Sequence, residues 1–268
     1  MSQAMIITSL QNPMVKRIAL LQQKASERQR AGLFAVEGLR EVGQCLAAGY
    51  EIETLYFCRD YVDENTAEKW QSQPYATEVS APVYQKMAYR GGTEGLLAIV
   101  KDKKLRLTDL KTETKPLYVV LESVEKPGNL GAILRSADAA QASTVIVCDP
   151  RCDLGNPNLI RNSLGARFTV PLVACSSGEC IQFLKERHVQ ILTAQLQDSH
   201  LYYDTDMRGA TALVMGTESE GLTDQWRQAA DRHIRIPMQG RIDSLNVSVS
   251  TAILLFEAVR QRLATPTL

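Results

Sequence analysis

The chain has 268 residues, 45% of them hydrophobic and 22% charged, a balance that excludes a disordered chain and leaves room for about two domains. Lys plus Arg and Asp plus Glu number 30 each, so the net charge is zero and no protein-wide positive field draws in nucleic acid; such a partner has to be held by a local patch. No apolar run comes near the roughly 20 residues that a membrane-spanning helix needs, the opening Met1-Ser2-Gln3 lacks the charged-then-apolar order of a secretion signal, and a cytoplasmic location is the expectation.

Pro13 suits a first helical turn, and Val15, Ile18, Leu20 and Leu21 recur at near-helical spacing before a polar stretch over residues 22–30. Lys16, Arg17, Lys24, Arg28, Arg30 and Arg40 outnumber Glu27 and Glu37 in this region. The surplus fits either a solvated helical face or a surface turned towards RNA, since charge alone does not choose between them. A second helix over residues 39–48 closes at Gly49, and a strand rich in β-branched and aromatic residues covers 52–58. A helix over 64–70, a short strand over 77–79, a helix after Pro82 and a strand over 95–100 complete a small α/β unit. Between residues 101 and 115 the composition turns to Lys, Thr, Asp and Glu with only three leucines, and Pro116 follows. The spacing predicts a first domain over residues 1–107 and a linker over 108–116.

The second domain, residues 117–268, opens with the unbroken apolar run LYVVL, the composition of a parallel strand covered on both faces. Further strand-like runs at 144–148, 189–194, 212–215 and 233–236 alternate with helical patterns at 129–140 and 181–187, the order of βαβ units. A terminal helix over 249–263 carries Ile253, Leu254, Phe256 and Val259, a face expected to pack on the sheet. Six cysteines are too few for a disulfide scaffold and are expected as reduced thiols. Cys148 and Cys152, then Cys175 and Cys180, superficially suggest zinc, but three and four intervening residues depart from paired CxxC knuckles. Packing as small hydrophobes is the commoner role of free cysteine, so no metal site is expected.

The sequence holds no GxGxxG after a first strand, no phosphate loop of the GxxxxGK type and no HExxH, so the usual dinucleotide, nucleotide-triphosphate and zinc-protease sites lack their residues. His188, His200 and His233 are scattered, with no carboxylate or serine at a matching spacing. Three segments stand out because polar residues and glycines sit where a strand gives way to a turn or helix, the place where open α/β sheets bind ligands. In KPGNLGAILR, residues 126–135, Pro127 and Gly128 shape a turn, Asn129 can cap a helix, Gly131 permits close backbone approach and Arg135 follows on the helix. In GTESEG, residues 216–221, two glycines bracket Glu218 and Glu220 directly after a strand. In IPMQGRIDSLNVSVS, residues 236–250, a strand-ending proline and a glycine-containing loop lead to Ser244 and Asn246 at a helix entrance.

In order and spacing these segments closely resemble the signature motifs of the SpoU/TrmH branch of the SPOUT RNA methyltransferases, which move a methyl group from S-adenosylmethionine to a ribose 2′-hydroxyl. Asn156-Pro157, Ser163, Gly165 and Phe168 also look like that family's pattern, whereas Lys126 stands where many members have aspartate. The resemblance covers residues 117–262. Residues 8–100 more loosely resemble the small α/β domain, similar to ribosomal protein L30e, that many members carry for RNA recognition. The implied fold is an L30e-like α/β domain followed by a SPOUT α/β domain with a deep trefoil knot and a mainly parallel sheet, working as a homodimer whose active site draws on both subunits.

The resemblance gives cofactor binding to Gly216, Ile236 and Leu245, largely through backbone groups. It points to Arg135 as the group that handles the hydroxyl proton; because a guanidinium is a poor base, the role expected of Arg135 is to stabilise the developing alkoxide and grip the neighbouring phosphate, with phosphate or water taking the proton. Asn129 would orient Arg135 or the ribose, Glu218 would hold the motif loops or the arginine, and Ser244 and Asn246 would position substrate and knot. Methyl transfer from a sulfonium needs alignment and removal of one proton, so no metal is required. The separate N-terminal domain favours ribosomal over transfer RNA as substrate. A ribosome-assembly protein that keeps the fold without the reaction is the alternative, and the intact set Asn129, Arg135, Glu218, Ser244 and Asn246 argues against it.

Overall fold

The structure, a computed structural model, describes residues 6–92, 94–217 and 220–264. The chain forms two compact units, one of residues up to 103 together with 153–168, the other of residues 104–152 together with those from 169 onwards.

In the first unit, β1 (Leu33–Glu37), β2 (Ile52–Phe57), β3 (Ala76–Glu78) and β4 (Leu96–Lys101) lie in the order β1-β4-β2-β3. β4 runs antiparallel to β1 and β2, and β3 is parallel to β2. Side chains alternate across a strand, so along β4 Leu96, Ala98 and Val100 enter one cluster with Phe34, Val36 and Leu55, while Leu97 and Ile99 enter another with Leu33, Tyr56 and Tyr84. Both faces are therefore covered. Asn12 starts the helix Pro13–Gln23 by accepting the Met14 N–H, and that helix buries Val15, Ile18 and Leu21. The ambiguous positive charge of this region is largely matched within the unit: Arg17 pairs with Glu53, Arg28 with Asp153, Arg30 with Glu27 and Arg40 with Glu41. Arg28 is buried, and its ion pair helps hold residues 153–168 here, with Ile160 and Phe168 in the first cluster.

The second unit is a seven-stranded sheet of β5 (Leu117–Glu122), β6 (Thr144–Cys148), β7 (Leu172–Cys175), β8 (Gln190–Ala194), β9 (His200–Leu201), β10 (Thr211–Met215) and β11 (Arg232–Arg235). Their order is β7-β6-β5-β10-β8-β11-β9 and every neighbouring pair is parallel. β5, β6 and β10 are buried along their whole length, as strands covered on both faces must be. Tyr118, Val120, Ile146 and Val214 pack against Phe183 and Leu184 of the helix Ser177–Glu186 and Trp226 of the helix Asp224–Ala229. The helix Pro127–Ala139 packs on the helix Val247–Leu263, which also packs on β10.

Three sequence expectations change. Residues 153–168, assigned by the motif pattern to the second domain, pack within the first unit. The stretch expected to end the first domain and begin a linker belongs to the second unit from residue 104, because its three leucines, Leu105, Leu107 and Leu110, join the core cluster around Tyr118 and Val173. On the terminal helix Leu254 and Leu255 are buried, whereas Phe256 is 48% exposed and so does not pack on the sheet. Among the described residues no helix is long and apolar enough to cross a membrane.

Candidate active site

The sheet order turns at β5: the chain steps to one side for β6 and β7, while β10, β8 and β11 lie on the other. The crevice above the carboxyl ends of β5 and β10 is thus a topological switch point, where successive loops diverge and leave room for a ligand. The loops that follow β5, β8, β10 and β11 all border this crevice.

A cavity of about 490 Å³ lies there, lined by residues 194–196 after β8, Met215, Gly216, Thr217 and Gly221 after β10, Ile236 and Met238 after β11, and residues 243–247 at the start of the terminal helix. Gly216, Ile236, Ser244, Leu245 and Asn246 therefore share one cavity. Its size falls in the range of small-molecule sites. Leu196, Met215, Ile234, Ile236, Leu245 and Leu254 give it apolar walls, and Thr217, Asp243, Ser244 and Asn246 give it polar groups. A second cavity of about 270 Å³, lined by residues 123–126, Asn129, Gly216, Thr217 and Val247, shares its last three residues with the first. Asn129 accordingly stands beside the larger cavity, and Asn246 Nδ2 donates to Asn129 Oδ1 at 3.2 Å. The Asn246 Oδ1 accepts the Ser248 N–H at 3.0 Å, so one side chain both caps the terminal helix and ties the first motif to the third.

The middle motif is folded tightly against itself. Thr217 and Gly221 exchange backbone hydrogen bonds of 3.1 Å in both directions. A Cβ on Gly216 would stand 2.3 Å from the Gly221 carbonyl carbon and oxygen and 2.6 Å from the Leu222 nitrogen, so only glycine lets the returning chain pass so close. Gly221 has φ +70 with nothing within 4 Å of a built Cβ; it is needed for the left-handed turn, not for space.

Sequence reasoning missed what anchors this loop. Glu122, the buried last residue of β5, accepts the Thr223 N–H at 2.8 Å and the Thr223 hydroxyl at 2.7 Å. Ser177 donates to Asp149 at 2.6 Å and accepts the Trp226 indole N–H at 3.0 Å. A buried carboxylate is costly unless hydrogen bonds satisfy it, and here they fix the far end of the 216–223 loop. The available signal was a lone acid closing an otherwise apolar run.

Arg135 sits on the same helix as Asn129, six residues further on, which is about 9 Å along the axis. It is exposed and lines neither cavity, so the structure brings Asn129, Asn246, Ser244, Leu245, Ile236 and Gly216 together and leaves Arg135 on the outer side. Glu218 lies outside the described residues.

Residues 116–256 match the model of the SpoU rRNA methylase family, and residues 12–98 match an MRM3-like substrate binding domain. A 23S rRNA (guanosine-2′-O-)-methyltransferase, RlmB, of Vibrio vulnificus strain CMCP6 is 38% identical over 183 residues, 66% of this chain and 74% of that protein. An AdoMet-bound rRNA methyltransferase from Sinorhizobium meliloti superposes with TM-score 0.87 at 33% identity, covering 96% of this chain and 97% of the other. The crystal structure of an RNA 2′-O ribose methyltransferase gives TM-score 0.84 at 38% identity, covering 97% of this chain and all of the other. The chain belongs to the SpoU rRNA methylase family.

Proposed function

We propose that the protein transfers a methyl group from S-adenosylmethionine to a ribose 2′-hydroxyl of ribosomal RNA. The observation that carries this reading is the convergence of three separate motifs on one switch-point crevice, joined by the Asn246–Asn129 hydrogen bond. The names of the relatives above support the ribosomal substrate. Rossmann-type nucleotide enzymes are disfavoured because no glycine fingerprint follows β5.

The larger cavity fits the donor. Apolar walls suit an adenine ring, and Gly216, Ile236 and Leu245 all line the cavity, as a donor held largely through their backbone groups requires. Bound S-adenosylmethionine supplies an electrophilic methyl carbon on a sulfonium. The chain's part is then alignment of the hydroxyl behind that carbon, which accounts for most of the rate. The Asn129–Asn246 pair sits where the two cavities meet, in position to orient the ribose, and Ser244 borders the same space. We assign to the guanidinium fork of Arg135 the grip on the adjoining phosphate and stabilisation of the developing alkoxide, while phosphate or water takes the proton. Glu218 would hold the motif loop.

Three further features belong to this proposal. A trefoil knot around the donor site is part of the reading, supported by residues after β8, β10 and β11 lining one cavity with the start of the terminal helix. Val249, Phe256 and Leu263, spaced seven apart on the terminal helix, are 47%, 48% and 81% exposed; this stripe suits a second copy of the chain. Ribosomal RNA is met in the cytoplasm, where we place the protein.

The test is methylation of unmodified ribosomal and transfer RNA fractions with labelled donor, followed by digestion to nucleosides. Label in a 2′-O-methylated nucleoside of ribosomal RNA is expected. Label confined to transfer RNA overturns the substrate assignment, and absence of label together with absence of donor binding leaves an RNA-binding protein.

A further inference from the structure

Three cysteines that the sequence separates meet in the second unit. Cys148 ends β6 and Cys175 ends β7, where the two are register partners in the parallel ladder. Cys180 lies in the first turns of the helix Ser177–Glu186, which starts at the Ser176 cap. The three Sγ atoms all lie within 4.8 Å of one another. Cys148 and Cys180 are fully buried and Cys175 is half-buried, so the cluster has two inner sulfurs and one at the protein surface. The spacing in the chain suggested the pairs 148/152 and 175/180; the fold instead selects 148, 175 and 180.

The fold brings the three sulfurs together from two strand ends and a helix. Thiolates in such a set bind a soft cation. An ion about 2.3 Å from each sulfur needs sulfurs about 4 Å apart, so the observed cluster closes on it with shifts below about 1 Å. Asp149 follows Cys148 and Glu179 precedes Cys180, and both carboxylates bear on the Cys175 sulfur, a local field that favours a cation. Hydrogen bonds from the Cys148 and then the Cys180 thiols draw the Cys175 pKa down.

We propose that Cys148, Cys175 and Cys180 form a three-thiolate site for a thiophilic divalent d10 cation, entered from the Cys175 side. Binding releases the thiol protons to solvent and leaves a fourth position to water. The site is separate from the methyl-transfer crevice, but it abuts the junction that holds it: Ser177, three residues before Cys180, bonds to Asp149 and Trp226. The sequence expectation of no metal is the one this geometry revises.

The experiment titrates the full-length, anaerobically reduced protein with Cd²⁺ and reads the sulfur-to-cadmium charge-transfer absorption. One saturating equivalent per chain, displaced by Zn²⁺, is expected. Cys180→Ser should weaken the band and lower affinity by roughly 100-fold or more, beyond the loss expected from an outer-shell change, while Cys152→Ser leaves both unchanged. In parallel, one equivalent of Cd²⁺ should protect Cys175 from alkylation, mapped by mass spectrometry in the unmutated protein, so a Cys180 variant that does not fold still leaves a decisive result. No saturable band, a band unaffected by Cys180→Ser, undiminished alkylation of Cys175, or a Cys148–Cys175 disulfide in place of the ion would overturn the proposal.

Discussion

Replacing Gly216 by alanine probes the donor loop at its tightest point. The new Cβ would sit 2.3 Å from the Gly221 carbonyl carbon and oxygen, against an ordinary carbon contact of about 3.5 Å, so the backbone has to part by about 1 Å. It has little freedom to do so. Thr217 and Gly221 are bonded to each other in both directions, Leu222 is buried, and Thr223 is held by Glu122. Overpacking of this kind costs about 1–3 kcal/mol of stability. A displacement of about 1 Å in a positioning element lowers turnover about 100-fold, equivalent to about 2.7 kcal/mol in the barrier. Gly221→Ala is the matched control: nothing obstructs its Cβ, and only its φ of +70 is penalised, by about 1–2 kcal/mol. Calorimetry with S-adenosylmethionine, steady-state methylation and urea unfolding of the two variants separate these effects. Gly216→Ala should lose donor affinity and kcat/KM together, and Gly221→Ala should chiefly lose stability. A Gly216→Ala protein with unchanged affinity and rate would refute the reasoning, as would Gly221→Ala proving the more damaging of the two.

Arg135→Ala should abolish methylation while donor affinity stays within a few fold, because the side chain lies outside the larger cavity; normal turnover would remove it from the mechanism. Asn246→Ala should cost about 1 kcal/mol of stability through the lost cap, and its effect on kcat/KM should be non-additive with Asn129→Ala by at least about 0.5 kcal/mol; strict additivity would separate the two motifs. If the exposed stripe is the proposed dimer seam, Phe256→Asp should sediment as a monomer where the unmutated protein sediments as a dimer, without a lower melting temperature, since that ring is half out of the core; unchanged sedimentation would remove the seam. Burial raises the Glu37 pKa above its ordinary 4.5, opposed mainly by the Tyr89 N–H bond. The charged form therefore penalises the fold, with the penalty absent below pH 4.5 and complete once pH passes the raised value. The stability of Glu37→Gln relative to the unmutated protein should rise as pH increases towards neutrality, and a flat difference in urea unfolding would contradict this.

Periodicity revealed the elements with the strongest physical signature. The apolar runs of β5, β6, β8 and β10 could hardly be anything but covered parallel strands, and the glycines and caps of the three motifs stood where a switch point needs them. β1 escaped because its run is short and follows the charged helix Ala25–Ala31. β7 was hidden as four residues between Pro171 and the Ser176 cap. Leu105, Leu107 and Leu110 looked too dilute to pack, yet a sheet face was waiting for them. Two further features had no sequence period at all. The burial of Glu122 depends on Thr223, about a hundred residues away, and the cysteine cluster depends on the register of β6 against β7. Phe256 shows the opposite error: helical spacing identifies an apolar side chain, and only the packing tells which partner it awaits.

The account rests on the crevice above β5 and β10 being the donor's seat. A crystal structure of the protein soaked with S-adenosylhomocysteine tests this most directly. The account predicts the adenine against Leu196, Ile236 and Leu245, with the sulfur turned towards the Asn129–Asn246 pair. Density for the nucleoside elsewhere on the protein, or in this cavity with its sulfur facing away from that pair, would contradict it.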